Sequence, residues 1–196
     1  MSVVNRPLFV VQCDLQQIFR FAFMATDATE LLRRIRFWVM VFILGLIASG
    51  ATAIPLEWEL NLVARALRID AQMNDRAHSG VATWIAKVRG ALRDTYAKYP
   101  FIAYGTDWLA FGHFAIAISF VGAYRDPVRN AWLFSFGIIA CWLVIPFALI
   151  FGALRGIPFL WRLIDCSFGI FGLVPLWICR RYLKELSSLC VEQKVK

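Results

Sequence analysis

The sequence predicts an all-α, polytopic membrane protein: a four-transmembrane-helix bundle with an N-terminal interfacial helix and an external amphipathic helical hairpin. Three observations predict it. Hydrophobic residues make up 60% of the 196 positions and mean hydropathy is +0.64, too apolar for an ordinary soluble domain of this length. The apolar residues also fall in blocks long enough to cross roughly 30 Å of hydrocarbon. Finally, the basic residues collect at block ends. Arg33, Arg34 and Arg36 precede one block, and Arg180, Arg181 and Lys184 follow another. That placement reads the formal charge of +8 as a topology signal and a contact for anionic headgroups. It argues against a phosphate-binding groove, so no nucleic-acid partner is expected.

Residues 1–36 form the N-terminal segment. Pro7 to Ala25 holds Gln12, Asp14, Gln16, Gln17 and Arg20, too polar to span, while Leu8, Val11, Leu15, Ile18 and Ala22 share one helical face. This pattern suits an amphipathic helix lying at the interface. Asp27 and Glu30 have the spacing of a capping box, which predicts a new helix start there. The first apolar run is too short for a signal-peptide core, so the first span is expected to act as an uncleaved anchor.

The membrane domain covers 37–179, with spans expected at about 37–54, 101–124, 131–154 and 158–179. Pro55 ends the first, and Pro100 introduces the second. Asp126-Pro127 reads as N-cap and first residue of the next helix, because proline needs no N–H partner there. Gly156 is placed to close the third span in a left-handed cap, and Pro158 to open the fourth. Pro146 and Pro175 fall inside spans, where each removes a backbone donor and favours a kink.

The connection 56–99 carries two apolar stripes at helical spacing: Leu56, Leu60, Val63 and Leu67 form one, and Val81, Trp84 or Ile85, Val88, Leu92 and Tyr96 the other. With a polar turn from Gln72 to Gly80 between them, they predict an external hairpin. Basic residues near the span ends place both termini in the cytoplasm, with 180–196 as a cytoplasmic tail. The membrane expected is a bacterial cytoplasmic one. None of the five cysteines falls in the external loop, so no structural disulfide is expected. Trp38, Trp58, Trp108, Trp132, Trp161 and Trp177 lie near span ends as an interfacial belt. Gly45 and Ser49 form a small-xxx-small pair suited to close helix contact.

Four ionisable residues lie inside apolar runs: Asp107 and His113 in span two, Arg162 and Asp165 in span four. Such groups are costly in hydrocarbon and usually face a bundle interior, a watery cavity or a partner. In an antiparallel bundle, both carboxylates fall about 10 Å below the outer helix ends, at a rise of ~1.5 Å per residue. The expectation is one shared cluster in the outer half. One reading is an ion- or headgroup-binding site; the other is a registry-setting ion pair of Arg162 with Asp107 or Asp165. One arginine offsets only one of two carboxylates, which leaves a charge to explain. Arg162, Asp165, Gly169 and Gly172 follow i, i+3, i+7, i+10 spacing, a face expected to point into the bundle.

No cofactor is expected. A tetrapyrrole on His113 is the one alternative, and a bis-histidine haem is excluded because the only other histidine, His78, lies in the loop. No phosphate-cradling glycine loop, metal-ligand motif or nucleophile triad occurs. The reading is a non-catalytic accessory or assembly subunit of a larger membrane complex, its partners the lipid bilayer and other membrane subunits or further copies of itself. The alternative is a small oligomeric proton- or ion-coupled transporter or channel using the charged cluster. An intramembrane enzyme acting on lipid or quinone would draw on the same residues but lacks a nucleophile–base spacing.

Overall fold

The computed structural model describes the backbone of residues 8–69 and 80–194, and the side chains of 27–69 and 80–189. Six α-helices account for it: α1 (Leu8–Ala53), α2 (Leu56–Ala66), α3 (Gly80–Lys98), α4 (Tyr104–Arg125), α5 (Ala131–Leu154) and α6 (Phe159–Lys194), with a 3₁₀ turn at Pro100–Ala103 leading into α4. Four segments are long and apolar enough to cross a membrane: Asp27–Ala53, Pro100–Arg125, Ala131–Leu154 and Phe159–Leu189. The protein is an all-α bundle of four membrane-spanning helices.

Two boundaries differ from expectation. No helix starts at Asp27, because α1 runs unbroken from Leu8 to Ala53. Glu30 therefore finds side-chain partners in place of a free N–H: it pairs with Arg33 at 2.5 Å and with Arg34 at 2.9 Å. These i+3 and i+4 contacts support a continuous helix. Nor does Asp126-Pro127 open α5. The Asp126 carboxylate accepts the Arg129 N–H at 3.0 Å and holds a turn, and α5 begins only after Asn130. Asn130 was not anticipated. Its Nδ2 donates to the carbonyls of Gly122 and Asp126, both at 3.0 Å, closing the end of α4.

Two helix ends follow one design. Gly156 has φ +70°, the Ile157 N–H reaches the Gly152 carbonyl at 2.8 Å, and the Gly156 N–H reaches Ala153 at 3.1 Å. This is the expected left-handed cap of α5. At α2 the same pattern joins Ile69 to Ala64 at 2.8 Å and Arg68 to Arg65 at 3.1 Å. Here the left-handed position falls to a non-glycine, Arg68 at φ 51°.

The spans assemble as two antiparallel pairs, α1 with α4 and α5 with α6, joined where α1 packs along α6. At the end nearest the termini all four helices share one core: Ile35, Val39, Phe42 and Ile43 meet Phe120, Phe134, Ile138, Leu176 and Cys179. Gly137 of α5 makes this convergence possible, since a Cβ there would lie 2.7 Å from Leu176 and 2.9 Å from Phe120. The Cys179 thiol donates to the Ile35 carbonyl at 3.6 Å, a weak bond between α6 and α1.

Toward the hairpin end the pairs keep to themselves. Gly50 of α1 lets α4 approach, with Phe114, His113 and the Ala110 carbonyl 2.9–3.1 Å from where its Cβ would be. Gly45 meets nothing within 4 Å, so the close contact expected of the Gly45/Ser49 pair is made instead by Gly50. The α2–α3 hairpin forms as expected and touches both pairs. Ala64, Ile69 and Ile85 make a small core against Trp161 of α6, while the second half of α3 lies over the first turns of α4. Of the expected polar turn, only Gly80 lies among the described residues.

Candidate functional site

The Arg162–Gly172 stripe of α6 packs as its small residues dictate. A Cβ on Gly169 would sit 2.6 Å from the Cys141 carbonyl of α5; one on Gly172 would sit 2.8 Å from the Cys141 sulfur and 3.5 Å from Phe42 of α1. Gly172 thus looks at α5 and α1 together. Asp165 lies seven residues before Gly172, hence two turns nearer the hairpin end and offset by only about 20°. Asp165 is half-buried and falls on the same face of α6 as Gly172, nearer the hairpin end. Among the described residues it has neither a hydrogen-bond nor an ion-pair partner; the ion pairs found there both belong to Glu30.

Arg162, one turn away, is not that partner. Its stem lies on Gly152 of α5, whose Cβ would come within 2.6 Å of Arg162 Cγ and Cδ. Nη1 donates to the Leu149 carbonyl at 3.2 Å, and the guanidinium sits 5.4 Å from the Phe159 ring centre. Nε is buried with no acceptor. The arginine is thus held against α5 by a carbonyl, an aromatic face and a bare glycine. The registry-setting ion pair does not form.

Asp107 is exposed in the first turn of α4. A carboxylate there is favoured by the free N–H groups and dipole of the helix start. It needs no cation from span four, and α4 does not pack along α6. His113 is half-buried on α4 near Gly50, and its Nδ1 bonds the Leu109 carbonyl one turn back at 2.8 Å as donor. Nε2 has no partner among the described residues. His78, the second histidine, lies outside the described residues.

The four sequence-chosen residues thus occupy three surroundings: Asp107 at a helix start, His113 at the α1/α4 contact, and Arg162 with Asp165 on adjoining strips of α6. Among the described residues no three His, Cys, Asp or Glu side chains converge as a metal site. One feature escaped sequence reasoning altogether, an apolar groove of about 390 Å³ where α3 crosses the start of α4. Its signal was the apolar stripe of α3, which is wider than the hairpin contact needs. No protein-family model, curated protein or solved structure matches this chain.

Proposed function

We propose that this protein is a non-catalytic accessory or assembly subunit of a membrane complex, and that a partner span supplies the cation for Asp165. The observation that carries the reading is the half-buried carboxylate of Asp165, inside a span and without a partner among the described residues. An aspartate at the centre of a span costs about 2.5–3.5 kcal/mol on insertion scales, and Asp165, seven residues into Phe159–Leu189, bears part of that cost. A basic side chain brought by another subunit converts that cost into a specific contact, because an unpaired charge in a low-dielectric site disfavours the lone chain. In this reading the termini lie in the cytoplasm. Support comes from Arg33, Arg34, Arg36, Arg125, Arg129, Arg180, Arg181 and Lys184, all at the terminal end of the spans.

The test is purification of the full-length chain from its own membranes in mild detergent, comparing Asp165→Asn, Asp165→Leu and Asp165→Glu. The wild type and the charge-conserving D165E variant should carry a stoichiometric membrane partner that D165N and D165L lose. All four should keep the same helical circular dichroism. A wild-type particle containing this chain alone, or a partner held equally by D165L, overturns the proposal. Proton or ion flux through vesicles holding only this chain, abolished by D165N, would establish the transporter alternative in its place.

A further inference from the structure

We propose that the groove between α3 and the start of α4 holds one acyl chain of an anionic phospholipid, whose phosphate is drawn by the basic residues flanking the apolar stripe of α3. Leu56, Val88, Leu92, Ile102 and Gly105 supply most of an almost wholly apolar lining. Thr106, also in the lining, turns its hydroxyl to the Ala103 carbonyl at 2.7 Å, which lowers its demand for water. The groove is about 390 Å³ in volume and its lining is almost wholly apolar, which suits a hydrocarbon chain.

Depth along the helix agrees with this. Exposed Tyr99, Phe101, Tyr104 and Trp108 cluster at the same end of α4 as the groove, and Tyr104 stacks edge-on with Trp108 at 5.9 Å, on the face of α4 turned away from Gly105 and Thr106. Aromatic rings of this kind settle at the headgroup level of a bilayer. The groove therefore lies near headgroup depth.

Charge selects the headgroup. On the helical wheel of α3, Arg89 borders one side of the groove-lining stripe and Lys87 and Lys98 the other, with Arg93 and Asp94 both farther back. None of the four cations has an ion-pair partner among the described residues. Lys87 lies 5.8 Å from the Trp84 ring centre and Lys98 5.2 Å from that of Tyr99, so aromatic faces hold both ammonium groups near the helix. Basic residues on either side of an apolar stripe attract anionic lipid, and long stems let the cations reach the phosphate plane.

The experiment is native mass spectrometry of the full-length protein in detergent, mixed in turn with phosphatidylglycerol, phosphatidylcholine and glycerol 3-phosphate. The wild type should retain one phosphatidylglycerol, hold phosphatidylcholine several-fold less, and bind no glycerol phosphate. Gly105→Leu and Ala91→Phe should each lose the lipid adduct by filling the groove. A Cβ at Gly105 meets nothing within 4 Å, so its fold should be kept. Should one variant elute abnormally, the other decides. The double variant K87Q/K98Q should keep the adduct but lose the preference for the anionic lipid. Equal retention of both lipids by the wild type, an undiminished adduct in a folded groove-filling variant, or binding of glycerol phosphate alone each overturns the proposal. So does the absence of any lipid adduct from the wild type.

Discussion

Gly169→Ala should weaken the bundle even though alanine is the better helix former. The added Cβ would stand 2.6 Å from the Cys141 carbonyl oxygen and 3.3 Å from Val144 Cβ. The first neighbour is backbone, so no rotamer change relieves it, and α5 must move away from α6. Overpacking of this kind costs about 1–3 kcal/mol, while replacing a helix-interior glycine returns about 1 kcal/mol. The net loss expected is up to about 2 kcal/mol. Gly45→Ala is the control, since nothing lies within 4 Å of its added carbon and only the helix gain of about 1 kcal/mol applies. The helix gain cancels between the two variants, which should then differ by the overpacking cost of about 1–3 kcal/mol, roughly 5- to 150-fold in the folding equilibrium. Gly172→Ala should fall between them, because the Cys141 sulfur at 2.8 Å can rotate aside. Reversible unfolding of the full-length protein by sodium dodecyl sulfate in mixed micelles, followed by circular dichroism, reads all three. A Gly169→Ala protein as stable as Gly45→Ala would refute close α5/α6 contact at this level.

The same assay tests three further positions. Arg68→Gly should stabilise the chain by about 1 kcal/mol, because the left-handed backbone penalises a side chain that glycine lacks; an Arg68→Ala protein showing the same gain would count against that cause. Asn130→Ala should cost about 1–3 kcal/mol by freeing the Gly122 and Asp126 carbonyls, and Asn130→Asp should not restore it, since a carboxylate cannot donate. Arg162→Met keeps the stem on Gly152 and should stay within about 1 kcal/mol of wild type. Arg162→Ala should lose more, at roughly 0.8 kcal/mol per methylene removed. Equal stability of the methionine and alanine variants would show that the stem contributes nothing.

Elements whose boundaries are local chemistry were legible in the chain. The third span was expected over 131–154 and α5 is Ala131–Leu154: hydropathy sets its extent and the Gly156 cap its end, although the helix start read at Asp126-Pro127 is a turn. The hairpin was legible for the same reason, its stripes falling at helical spacing before any contact is known. The misplaced helix start at Asp27 shows the limit. A capping-box spacing is a competition between a free N–H and nearby cations for one carboxylate, and Arg33 and Arg34 lie three and four residues after Glu30. The cations win because the helix is already formed upstream of them, and that continuity is not written in the motif.

The charged residues show a second limit, concerning neighbours rather than boundaries. Helical spacing correctly put Arg162, Asp165, Gly169 and Gly172 on one side of span four, and the glycines do face other spans. It could not tell that α6 packs along α5 and α1 and meets α4 only in the core near the termini, because pairing among four similar helices depends on which small residues meet. Gly152 illustrates the decision. Lacking a side chain, it admits the Arg162 stem and leads the guanidinium to the Leu149 carbonyl and away from Asp165. The consequence is a carboxylate and a guanidinium one turn apart on the same helix that do not neutralise each other. If the partner proposed for Asp165 exists, Gly152→Leu should displace Arg162 toward Asp165 and let the chain compensate its own charge. The partner would then be held less tightly in the purification described above, with Asp165 itself unchanged. A Gly152→Leu protein that stays folded and retains its partner fully would show that the cation-seeking carboxylate is not what holds the complex together.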